Sequence, residues 1–119
     1  MKKITLLFFI IVFLLIVNSN RLYAANESVT AAASAQNTWT SIIAPASGTG
    51  FLNVSVSGTW VATVTLQRSF DWGSTWHDVT TWTANAQKRL EDTERRVVYR
   101  IGVATGDYTS GTANVRLSK

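Results

Sequence analysis

The chain reads as an all-β protein: a small antiparallel immunoglobulin-like β-sandwich of about seven short strands, with a small jelly roll as the alternative. Three observations predict this. Apolar residues alternate with polar ones through most of the chain beyond residue 36. Clusters of Gly, Ser, Asn and Asp break the alternation at intervals of roughly 8–12 residues. No helical periodicity follows the N-terminal segment. One polar face per strand is what two packed sheets require.

The N-terminal segment is of another kind. Lys2 and Lys3 precede a strongly apolar run from Ile4 to Val17, then polar Asn18 to Arg21, then "LYAANE". That order is the charged start, apolar centre and small-residue cleavage site of a secretory signal. Leu22 and Ala24 stand at the −3 and −1 positions of a cut after Ala24. The apolar run is short of the ~20 residues that span a bilayer, which leaves an uncleaved anchor as the alternative. The expected organisation is a leader over 1–24, a flexible arm or weak first strand over 25–36, and one β-sandwich domain over 37–119. Export is expected, with membrane contact only through the N-terminal segment if it is uncleaved.

Charge and cysteine content narrow the classes further. Of 11 Lys and Arg residues, Lys2, Lys3 and Arg21 belong to the leader, so eight remain against seven Asp and Glu, a net of +1. The basic balance is largely a targeting feature, and no nucleic-acid footprint is expected. There is no cysteine, so the domain must be held by its core alone. That length suits one domain and not two.

The elements follow in order. "NTWTSIIA" (Asn37 to Ala44) is β-rich and ends at Pro45, the only proline. Leu52, Val54 and Val56 then alternate with Asn53, Ser55 and Ser57. A tight turn is expected at Gly58-Thr59, after which Trp60, Ala62, Val64 and Leu66 face inward. "TWHDVTTWTA" (Thr75 to Ala84) is another β-rich run, and "KRLEDTERR" (Lys88 to Arg96) a mixed-charge strand-and-loop face. Val97, Tyr99, Ile101 and Val103 alternate with polar or small residues. "ATGDYTSG" (Ala104 to Gly111) supplies turn chemistry before the last alternation, Ala113, Val115 and Leu117. The stretch "YRIGVATGDYTSG" resembles the penultimate strand and last hairpin of fibronectin type III and immunoglobulin-like domains, which implies a buried corner position for Tyr99.

Between the middle strands lies "SFDWGSTW", Ser69 to Trp76, matching Ser-x-Asp-x-Gly-x-Thr-Trp throughout. It resembles the Asp-box of sialidases and other secreted proteins, which implies a β-hairpin corner. Asp71 would accept hydrogen bonds from turn N–H groups and Gly73 would take a conformation other residues resist. Ser69, Thr75 and Trp76 would frame the turn. Propellers need at least four blades, and one box without an internal repeat cannot build a sialidase. The box is expected to be architecture.

Other chemistry is sparse. His77 and Asp78 are strand neighbours and point to opposite faces. No calcium loop and no nucleophile elbow is present. No catalytic residue, metal or cofactor is expected, and the chain is not read as an enzyme. Five tryptophans stand out. Trp60 and Trp76 fall at inward or turn-packing positions. Trp39 and Trp82 are possible contact residues on strands that do not alternate cleanly. Trp72 sits at the variable tip of the box, where an exposed indole suggests contact with a sugar face or another protein.

Residues 37–118 also resemble small one-domain β-sandwiches encoded by tailed bacteriophages and prophages. The blocks Leu66 to Trp76 and Tyr99 to Ser118 carry that resemblance. It implies a virion accessory protein of head-decoration or tail-associated type, with Trp72 where such proteins have a small residue. A virion protein assembled in cytoplasm has no need of a leader, so resemblance and leader point to different compartments. The expected function is a structural or interaction module that docks on a protein lattice or self-associates. An exported carbohydrate-binding module using exposed tryptophans is the alternative.

Overall fold

The computed structural model describes residues 27–46 and 49–119; the leader lies outside the described residues. Those residues form one antiparallel sheet of six strands and no helix: β1 (Ser28–Ala33), β2 (Thr38–Trp39), β3 (Phe51–Ser69), β4 (His77–Trp82), β5 (Ala86–Glu91) and β6 (Val98–Ser118). Ser28–Ala33, within the stretch read as an arm or weak strand, is paired along its whole length with residues 113–118.

Two strands organise the rest. β3 and β6 pair with each other from Asn53↔Ser118 to Ser69↔Val98, with register shifts around Val61, Ala62 and Val64. Those shifts divide the sheet into two arms, since bulges bend and twist the strands that carry them. In the first arm the order is β1, residues 113–118, residues 51–58, β5. In the second it is β2, residues 98–103, residues 64–69, β4. Leu52, Val54, Val56, Ala113, Val115 and Leu117 from the first arm join Val64, Leu66, Tyr99, Ile101 and Val103 from the second in a single hydrophobic cluster. Burying each Leu, Val or Ile contributes roughly 1.5–3 kcal/mol. The alternation expected from the sequence is therefore the alternation of the core.

Two expected reversals are absent. Gly58-Thr59 does not turn the chain, and Ala104 to Gly111 does not close a hairpin; both stretches run on inside β3 and β6. Residues 98–103 and 113–118, expected to pair with each other, instead extend one strand, and both pair with β3. The glycines serve close approach. A Cβ on Gly58 would stand 2.5 Å from the Thr112 carbonyl oxygen, and one on Gly111 2.3 Å from that of Thr59. Both have positive φ, 109° and 79°. The number of strands falls from about seven to six for the same reason.

Three connections meet at one end of the sheet. Residues 44–46 and 49–50 precede β3, residues 70–76 join β3 to β4, and residues 92–97 join β5 to β6. Asp92 bonds Gly50, Arg68 and Tyr99, and residues of all three connections line one cleft, so the three lie side by side.

Candidate functional site

The Asp-box turn is built from its own side chains. Ser69, buried at the end of β3, donates its hydroxyl to Asp71 Oδ1 at 2.7 Å and accepts the Gly73 N–H at 2.8 Å. Asp71 Oδ1 also accepts the Thr75 N–H at 2.8 Å. These bonds, the Ser69 hydroxyl first and the Thr75 N–H second, pull the Asp71 carboxyl down to about 2. The serine, expected only to frame the turn, is its hub. Gly73 has φ 95° with Trp76 beneath it, where a Cβ would meet the indole at 3.2 Å.

Trp76 is anchored to the outer face of the second arm. The Arg100 guanidinium lies 4.2 Å from the ring centres of both Trp39 and Trp76, and its Nε donates to Gln67 Oε1 at 2.9 Å. Burial lowers the Arg100 pKa, and the two indole faces supply the cation–π attraction that offsets desolvation. Gln67 Nε2 in turn donates to Asp78 Oδ1 at 2.8 Å. Beneath this cover Val98 is 1% exposed although it stands outside the core cluster.

With the turn held from below, its tip projects. Trp72 is 64% exposed and has φ 58°, a left-handed conformation that a bulky residue rarely adopts. Its indole lines a cleft of about 570 Å³ between the three connections, together with Pro45, Thr93, Glu94, Arg95 and Arg96. Arg96 is also left-handed, φ 63°. Among the described residues the ion pairs are Arg68–Asp92 and Lys119–Glu27, so neither arginine of the cleft is in one, although Asp92 and Glu94 line the same cleft.

The cleft wall is braced by Asp92. Its N–H donates to Gly50 O at 2.8 Å, and its Oδ1 accepts the Glu94 N–H at 2.9 Å. Its Oδ2 accepts from the Tyr99 hydroxyl and from Arg68 Nη1 at 3.2 Å. Burial works against the Asp92 carboxylate, yet the Tyr99 hydroxyl, the Glu94 N–H and Arg68 hold its pKa below the usual value. Tyr99, 4% exposed, is pushed up to about 12 by burial and by the Asp92 carboxylate.

The other expected contact residues lie apart. Trp39 is half-buried in the Arg100 stack. Trp82 is half-buried against the core, as is Trp60, whose indole N–H donates to Asn85 Oδ1 at 2.9 Å. Arg95 and Arg96 were not marked by the sequence as site residues. They belong to a run that reads as solvated charge, and only the topology brings them to Trp72. His77 is within 5.9 Å of the Phe70 ring, while Asp78 bonds Gln67. Among the described residues no cluster of His, Cys, Asp or Glu could hold a metal ion. No protein-family model, curated protein or solved structure matches the chain.

Proposed function

We propose that this chain is a non-enzymatic interaction module with the two-layer layout of a small jelly roll, acting as a virion accessory protein of decoration or tail-associated type. It docks on a protein lattice, or on a second copy of itself, through the end that carries Trp72. The strand order supports the fold reading. Taking the segments of both arms in chain order, the first pairs with the eighth, the second with the seventh, the third with the sixth and the fourth with the fifth. A double Greek key has that layout, and it occurs in capsid and lectin domains alike. An immunoglobulin-like sandwich would instead pair the last two segments with each other. Fold alone does not choose a function.

The observation that carries the functional reading is Trp72, 64% exposed beside two arginines that take part in no ion pair among the described residues, on a braced cleft. Tryptophan and arginine are the residues that dominate binding energy in protein interfaces. Of the titratable groups around the cleft, Asp71 is committed to its turn, and Asp92, Tyr99 and Arg68 to one another. A second reading, an exported carbohydrate-binding module, is favoured by the aromatic wall of a cleft large enough for a sugar ring. Sedimentation velocity over a range of concentrations tests the first reading and a glycan array the second. Self-association that depends on Trp72 supports the docking module. A chain that stays monomeric and retains neutral glycans through Trp72 would replace it with the carbohydrate module. N-terminal sequencing locates the protein: a start at Ala25 or Asn26 means export, and a retained leader in soluble cytoplasmic protein means none.

A further inference from the structure

The outer face of the first arm is separate from the Trp72 cleft and shares no lining residue with it. A groove of about 390 Å³ runs over it, lined by Asn53, Ser55, Gln87, Arg89, Arg116 and Ser118 among others. Register puts these residues on two adjacent rows. Thr30, Arg116, Ser55 and Gln87 form one; Ser28, Ser118, Asn53 and Arg89 form the other. Directly paired residues share a face, so the two arginines stand at opposite corners of a patch of hydroxyl and amide side chains. Strands are about 4.8 Å apart and residues rise about 3.4 Å each, so two strands and one row put the two arginine backbones about 12 Å apart, with Arg89 turned to Phe51 at the edge of the patch.

No ion pair holds the charge of this patch among the described residues: neither Arg89 nor Arg116 takes part in one. Arg89 is held over the Phe51 ring, 3.3 Å from its centre, so one cation is positioned before anything binds. No carboxylate lines the groove. The site sits on strands, which hold side chains more steadily than loops do.

We infer that this face binds an acidic polysaccharide, with Arg89 and Arg116 on its carboxylate or sulfate groups and the serine, asparagine and glutamine side chains on its hydroxyls. Planar guanidinium forks match such oxyanions. The patch offers no open aromatic face for a nucleic-acid base, since its one ring is covered by Arg89. It has no apolar pocket for a peptide side chain either.

NMR titration of the full chain separates the cases, using a sulfated hexasaccharide, a hexauronate, neutral maltohexaose and a DNA hexanucleotide. The two acidic sugars, or one of them if only one acid group fits, should shift the amides of Asn53, Ser55 and Gln87, with binding that weakens as salt is added. Arg89→Ser and Arg116→Ser should each lower affinity about tenfold while thermal melts stay with the parent. Trp72→Ala should leave this binding unchanged, so the result stands or falls apart from the docking role of the cleft. Equal binding of maltohexaose, equal or tighter binding of the hexanucleotide, shifts located elsewhere, or no binding of either acidic sugar would each overturn the assignment.

Discussion

Along the first arm the outward residues of β3 and β6 include Asn53, Ser57, Asn114 and Arg116, all exposed; along the second they include Thr65, Ser69, Val98 and Gly102, all buried. The same two strands run through both arms, and apolar inward residues of both join one core cluster. What differs is the cover. Over the second arm Trp39, Arg100 and Trp76 form a stack, and the Asp-box turn closes on it. A Cβ on Gly102 would stand 2.0 Å from the Thr38 carbonyl oxygen, so β2, paired with β6 there, comes too close for any side chain at that position. The first arm has small polar side chains and no such lid. One arm is covered on both faces, and the other leaves most of its outer face exposed.

The comparison can be broken most forcefully from the inside. Leu66→Ala in the second arm and Leu117→Ala in the first each remove a fully buried side chain, and each should cost about 2–5 kcal/mol in a denaturant melt. A large loss in one arm with little in the other would mean that the arms do not share a core. Outer faces should separate the arms. Trp76→Ala should cost about 2 kcal/mol, combining lost packing with a lost cation–π contact. Arg116→Ser, on the exposed outer face of the first arm, should stay within about 0.5 kcal/mol of the parent.

Titration sharpens the same contrast. Tyr99 has its pKa raised from 10.0 to about 12, so its contribution to stability is fully present below pH 10 and is lost as pH rises towards 12. Tyr99→Phe should cost about 1–2 kcal/mol at neutral pH, and that difference should shrink over the same alkaline window. Asp71 shifts the other way, from 3.8 down to about 2. Its contribution is present above pH 4 and is lost as pH falls towards 2. An Asp71→Asn variant should melt below the parent at pH 7 and converge with it near pH 2. Convergence at neutral pH would show that the turn bonds do not hold the second arm's cover in place.

Much of this was legible in the residues. Period-two alternation marked Leu52, Val54, Val56, Val64, Leu66, Ile101 and Val115 as core, and all are buried. The Asp-box announced its turn. The two reversals at Gly58-Thr59 and Ala104 to Gly111 were misread because a glycine that permits a turn and one that permits two backbones to touch look alike in sequence. Gly58 and Gly111 are of the second kind, each against a carbonyl of the partner strand. The Arg100 stack was equally hidden, since Trp39, Trp76 and Arg100 are far apart in the chain and meet only through strand register. For the same reason nothing in "KRLEDTERR" told Arg95 and Arg96 from solvated charge.

The smallest expected change in stability belongs to Trp72, and it bears most directly on the account. Among the described residues it is the most exposed large hydrophobic, while the turn beneath it is tied by Ser69, Asp71 and Thr75 through bonds the indole does not make. Thermal melting and sedimentation velocity of Trp72→Ala, run side by side with the parent, are the decisive pair. A docking role predicts an unchanged melting temperature and an association weakened about thirtyfold, as loss of an aromatic anchor worth about 2 kcal/mol requires. A lowered melting temperature with association intact would contradict it and return Trp72 to the packing of its own turn.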